Sequence, residues 1–466
     1  MRSFLTLCAA GVLAAAAATA QTRDPLKWPF DKYSVWNVPI HHNATYAAAG
    51  IQPAVHFDPD EDIIVLTPSA PALNVETNTA DWSGADRCPD QGATLFSAPI
   101  PQNWIYDKTV WRGNTPNSGA AILRPDGSFI QTQPFAKCNT TYATSHYVWT
   151  SPCALTGECI QGSHGGSGLS AVGGTLRVGE LSSGVIRHVL KLNLFGRENF
   201  YRDAAGGYRW PATKADGGFD DPAAANYYGG TNPDMKIGAL LAIHKSATLT
   251  GLGSGNSLGL ETQAGLIIAR ALQNYGGYTV DNTAWDAYAL VTENGPNGSV
   301  ANEFKSLYGY DMGVNGLDNS AWGRDIKRIY ASLYVITNNA AGNIGGGPTT
   351  DANRRAPFAC AFGANGSGYM CETNSPNPPA AMKIMPLGDS KTEGGGGGGQ
   401  QSSWRGFLRN KLMLDGFTID YVGDRSNVAD GDGIPTDNDH AGHGGYSIGP
   451  DTQRFCTTCE TTGLYE

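Results

Sequence analysis

The sequence predicts a mainly β domain over residues 21–371, of β-sandwich or jelly-roll type with one helix, and then an α/β segment over 382–466. Three observations carry this reading. Short apolar runs recur between turns rich in Gly, Pro and Asn, as strands of a β domain do. Within the first region only one long run, from about Glu261 to Asn274, has helical spacing. The last stretch reads as strand, helix and strand in succession. Composition agrees, with 61 glycines and only 16% charged residues.

Residues 1–20 have the form of a secretory leader: Arg2, an apolar run from Phe4 to Ala17, and Ala18-Thr19-Ala20 at the cleavage position. The expected location is therefore extracellular. The run is short for a membrane span, and no membrane association is expected. A formal net charge of -10 argues against nucleic acid as a partner.

From Trp28 to Trp111 the chain is rich in Pro, Asn, Asp and aromatics, with a β-like run at Ile63-Ile64-Val65-Leu66. Ala120 to Ala136 reads as a hairpin turning at Pro125-Asp126-Gly127. Further strands are expected at 175–181, 185–195, 237–244, 278–282, 287–292 and 329–337. Leu266, Ile267, Ala269 and Leu272 form the apolar face of the helix, which Gly276-Gly277 ends. Residues 372–381, with Ser375-Pro376-Asn377-Pro378-Pro379, read as a Pro-rich linker. Cysteines in an exported chain suggest disulfides, and Cys153 with Cys159 and Cys360 with Cys371 are the plausible local pairs.

The densest polar stretch in the β region is Gly162-Ser163-His164-Gly165-Gly166-Ser167-Gly168, followed by Glu180 and by Arg187-His188. These side chains suit a sugar-binding cleft. They equally suit a histidine in a glycine turn and a satisfied strand pair, and that plainer reading is favoured. Asp281 and Asp286 are the second candidate, because paired carboxyls run acid/base chemistry on glycosidic bonds. Five residues apart, they face opposite sides of one strand unless Asn282-Thr283 turns the chain. Structural turn residues are the plainer reading here too. Trp104, Trp111, Trp210 and Trp285 are candidates for stacking on sugars, although most tryptophans are core residues. The acidic run Asp430 to Asp439 fails the EF-hand pattern at Ile434, and Cys456-Thr457-Thr458-Cys459 lacks a second pair. No metal and no cofactor are expected.

The apolar run Met382 to Leu387 stops at Gly388-Asp389-Ser390. A helical pattern opens at Trp404, an alternating strand runs from Phe417 to Gly423, and Asp437 to Ile448 forms an acidic, His- and Gly-rich loop. This order resembles the opening of an SGNH hydrolase, most closely carbohydrate esterase family three, the acetyl xylan esterase type. The resemblance implies that Ser390 is the nucleophile and that Gly445 supplies an oxyanion N–H, with Asp389 bracing the turn. The implied partner is a polysaccharide or acetylated glycan. The family's Gly-x-Asn-Asp and Asp-x-x-His blocks do not follow before Glu466, and Lys391 replaces an aliphatic residue. The resemblance therefore implies a truncated domain, inactive as this chain stands. The alternative puts the work in residues 21–371, as a glycan-binding or structural module or a glycan lyase or hydrolase.

Overall fold

The computed structural model describes residues 23–362, except 90–91, 109–114 and 251–256, and five short strands beyond them: Tyr369–Met370, Met382–Ile384, Leu387–Gly388, Ile419–Tyr421 and Ala441–Gly442. The chain is mainly β. An eleven-stranded mixed sheet forms its spine. In spatial order the strands are Tyr46–Ala48, Leu333–Ile336, Leu240–Ile243, Gly277–Asn282, Leu190–Leu194, Ala287–Gly295, His56–Val65, Ala120–Leu123, Phe129–Gln133 and Tyr147–Trp149. Gly298–Ser299 adds to Ala287–Gly295.

Three of these pairings are parallel: Leu190–Leu194 with Gly277–Asn282, and His56–Val65 with both Ala287–Gly295 and Ala120–Leu123. Parallel strands are normally covered on both faces, and every residue of Leu190–Leu194 and Gly277–Asn282 is buried. One cover is helical: Leu266 and Leu272 of Gln263–Asn274 and Ile326 and Ile329 of Ala321–Ala331 share a core with Leu190, Leu192 and Leu241. On the opposite face Trp36, Leu169 and Val172 close over Tyr278, Val280 and Ala242. A three-stranded sheet of Thr94–Pro99, Ala72–Thr77 and Tyr142–Ser145 covers the far end. Its Leu73 and Val75 meet Ile63, Val65, Ala120 and Ile122. Ile64 points the other way into the Trp36 core, as period-two alternation requires.

The hairpin is present as expected, with Gly127 at φ 81° in its turn. The helix is present too, and the Thr262 hydroxyl caps it by accepting from Gly265 N. The expectation of one helix is corrected. Val300–Tyr308 and Ala321–Ala331 are also helices, capped by Ser299 and Ser320. Ile329 and Tyr330 belong to the latter rather than to the strand expected at 329–337. They continue a helical apolar stripe from Trp322 and Ile326. Residues 175–181 form no strand: Leu176 makes one bridge to Thr292, and Gly179 at φ 95° turns the chain into a short helix at Glu180–Ser183.

Cys153–Cys159 is a disulfide, as expected. Cys88–Cys138 is a second, not anticipated because fifty residues separate its members. Cys360 is disulfide-bonded, and Cys371 lies outside the described residues.

Candidate functional site

The site starts from a strand that carries acids where a core strand normally carries hydrophobes. In His56–Val65, Asp58, Asp60 and Asp62 alternate onto the face that Ile64 shares. Ala289 and Val291 stand opposite Asp58 and Asp60 on the next strand, and Asn193 lies opposite Ala289 on the strand after that. Small neighbours leave room for longer side chains to cross. Asn193 Nδ2 donates to Asp60 Oδ2 at 2.7 Å, and the Lys191 ammonium donates to Asp62 Oδ2 and, at 2.7 Å, to the Ser170 carbonyl.

Asp62 also accepts from Thr175 Oγ1 at 2.8 Å and pairs with His164 Nδ1 at 2.8 Å. Burial alone would raise this carboxyl, but His164 and Lys191 outweigh it and hold Asp62 below the ordinary carboxylate range. Burial pushes Lys191 down, against the pull of Asp62. The geometry assigns the Nδ1 proton of His164 to Asp62. Nε2 then faces Asp60, 3.7 Å from its Oδ2, with no hydrogen-bond partner although the residue is 1% exposed.

Asp281 completes the cluster. The parallel register slips by one residue between Leu192 and Asn193, so Asp281 lies opposite Asn193. Such a bulge re-aims a side chain. Asp281 Oδ1 accepts from Gly166 N at 2.8 Å and Asn282 N at 2.9 Å, and Oδ2 accepts from Asn117 Nδ2. Asp216 hydrogen-bonds to Asp281 and accepts from the Tyr228 hydroxyl at 2.5 Å. Burial, then repulsion from Asp216, pushes Asp281 well above its usual range, and burial also raises Asp216 and Asp60. Two glycines make the approach possible. A Cβ at Gly165, which has φ 45°, would collide with the Asp281 carboxylate, and one at Gly166 with that of Asp216.

An aromatic edge joins the cluster. Trp82 stacks on Tyr147 with ring centroids 5.9 Å apart, and Tyr147 is 51% exposed. The Trp82 indole donates to Asn117 Oδ1 at 3.0 Å, and Asn117 donates to Asp281. Nearby in sequence, Trp149 carries the Lys214 ammonium 5.1 Å over its ring. At the other end of the acid row the Trp285 indole donates to Asp58 at 3.2 Å.

No protein-family model, curated protein or solved structure matches the chain.

Of the residues named from sequence, His164 and Asp281 meet here. The others stand elsewhere. Glu180 and His188 pair with each other at 3.0 Å, Arg187 acts electrostatically on Tyr275, and Asp286 accepts from Val55 N. The turn at Asn282-Thr283 leads into a separate strand and does not return Asp286 to Asp281. Ser167 is buried with its hydroxyl on the His164 carbonyl. Trp104, half-buried, is stacked on Tyr106 and Phe135 against the core, Trp210 packs against the Trp36 core, and Trp111 lies outside the described residues. Ser390, Asp389 and Gly445 also lie outside them, although Leu387–Gly388 pairs in parallel with Ala441–Gly442, and Met382–Ile384 with Ile419–Tyr421.

Sequence reasoning missed Asp60, Asp62, Lys191, Asn193 and Asp216. A signal existed for the first two: Asp58-Pro59-Asp60-Glu61-Asp62 runs directly into Ile63-Ile64-Val65, placing acids in register with a core strand. Asp60, His164 and Asp281 also form a possible ligand set for a metal ion, with one donor atom from each lying within 4.8 Å of the others.

Proposed function

We propose that residues 23–362 form a glycan-cleaving domain of a secreted protein, working at the Asp60–His164–Asp281 cluster. The observation that carries this is the hydrogen-bonded line from the exposed Tyr147–Trp82 stack through Asn117 to Asp281. Aromatic faces bind the apolar faces of sugar rings, and here they end at a buried carboxyl. Cleaving a glycosidic bond calls for a proton donor and a second group that activates the attacking species. Asp60, Asp216 and Asp281 supply carboxyls for such work, and His164 offers a fixed, unpartnered Nε2 beside them. The small share of charged residues, the aromatics and the leader-like residues 1–20 support an extracellular glycan as the partner. Incubation of the full chain with a polysaccharide panel tests the proposal. New reducing ends mean hydrolysis and unsaturated ends mean a lyase, and either must vanish in Asp281→Asn. Retention of a glycan without new ends makes the domain a binding module instead.

The segment from Met382 supports a second reading, an SGNH-type esterase ancestry with Ser390 as nucleophile. What supports it is the Gly388-Asp389-Ser390 motif and the parallel pairing of the strand that ends at Gly388. Aryl acetate and acetylated xylan separate this activity from the first. Turnover that is lost in the Ser390→Ala variant would support this reading, and turnover that persists in it would remove Ser390 as nucleophile.

A further inference from the structure

We infer that Asp60, His164 and Asp281 bind one divalent cation of the Mn2+ or Zn2+ class. Two features of the geometry converge on this. One donor atom from each residue lies within 4.8 Å of the other two, a spacing that a single ion spans with bonds of about 2.0–2.6 Å. His164 Nε2 is a buried nitrogen with no hydrogen-bond partner, and it faces this point. A histidine left so in a 1% exposed position is costly unless something occupies the gap.

The surroundings are those of a ligand set rather than of a structural ion pair. Asp62 fixes His164 through Nδ1 at 2.8 Å, which leaves Nε2 free to ligate. A carboxylate behind a metal-bound imidazole sets its tautomer and raises its basicity in this way. Lys191 and Thr175 take Oδ2 of Asp62 and His164 takes Oδ1, so this carboxylate orients the imidazole from behind. Asp60 is steadied by Asn193, and its side chain, at 16% exposure, gives solvent a path to the point. Asp281 is held by Gly166 N, Asn282 N and Asn117. One imidazole with two carboxylates suits Mn2+ and Zn2+, whereas Ca2+ takes oxygen ligands alone. The cation would sit in the same cluster as the proposed cleavage site, and binding is read without any glycan.

The full chain, stripped with a chelator and dialysed, is titrated with Mn2+, Zn2+ and Ca2+ by calorimetry. One equivalent of Mn2+ or Zn2+ per chain is expected. With Mn2+ bound, pulsed electron paramagnetic resonance should show coupling to one imidazole nitrogen. Asp60→Asn and His164→Gln should each weaken binding by at least about tenfold, the scale on which lost or disturbed ligands act. If His164→Gln does not fold, the nitrogen coupling in the unaltered chain and the Asp60→Asn titration decide alone. No saturable binding up to millimolar Mn2+ or Zn2+, binding of Ca2+ only, or bound Mn2+ without nitrogen coupling would each overturn the inference.

Discussion

His164 stands on Asp62, Nδ1 to Oδ1 at 2.8 Å, and the same carboxylate takes the Lys191 ammonium on its other oxygen. The two side chains reach Asp62 from different elements, His164 from the end of the short strand Gln161–His164 and Lys191 from the central strand. All three are buried. The orientation of the candidate site thus depends on a charge balance inside the sheet, and that balance can be broken on purpose.

Lys191→Met should destabilise the domain by about 3–5 kcal/mol, because it leaves Asp62 a buried carboxylate short of its cation. Pairing it with Asp62→Asn should recover part of the loss. Urea unfolding of the two single variants and the double variant checks this. Additive losses would mean that the two residues are not coupled.

Gly166→Ala should lower activity or ligand binding far more than it lowers the melting temperature. The added methyl meets the Asp216 carboxylate rather than backbone, so Asp216 must move and the Asp216–Asp281 contact is lost. Gly165→Ala carries the added strain of φ 45° and should be worse on both counts. Thermal melts read beside glycan cleavage separate the effects. Unchanged cleavage in Gly166→Ala would remove Asp216 from the working site.

Removing Cys88–Cys138 should cost more than its short loop-closing counterpart does through chain entropy. Closing a loop of fifty residues constrains the unfolded chain by about 4 kcal/mol, against about 2 for the six of Cys153–Cys159. Cys153 and Cys159 are also buried, so their replacement by Ala adds a packing loss. Replacing both pairs by Ala–Ala in separate variants and comparing denaturation midpoints with m-values tests the entropy difference. Equal midpoints for the two would show that packing compensates for it.

Stability should decline above neutral pH in a way that depends on His188. Burial opposes its charge, but Glu180 at 3.0 Å and the Val189 carbonyl at 2.8 Å outweigh burial and raise its pKa above the usual value. Arg177, itself paired with Glu293, opposes the charge weakly from the next turn. A raised native pKa means that the folded state holds the proton more tightly than the unfolded chain, whose value is about 6.5. The stabilisation is complete below about pH 6.5 and is lost as pH rises through the native value. His188→Gln should flatten that limb of the stability curve. Melting profiles that keep the same slope in the variant would refute the assignment.

Local pattern determined much of this protein by itself. The hairpin at Pro125-Asp126-Gly127 and the helix after Thr262 depend on neighbours in the chain, and the expected positions hold. So does Cys153–Cys159, which closes a loop of only six residues. His164 was a visible candidate because a histidine among glycines is unusual without tertiary context. Tertiary structure decided the rest. Parallel pairing of His56–Val65 with Ala287–Gly295 joins residues more than two hundred positions apart, and no local period announces such a partner. Asp281 reaches the cluster only through a one-residue slip in register, which alternation along its own strand cannot show. Asp60 and Asp62 sit in an acidic run that continues into a core strand, and only the sheet decides that they are buried. They are kept there by Asn193, Lys191, His164 and Thr175, four side chains that only the fold brings within hydrogen-bonding reach.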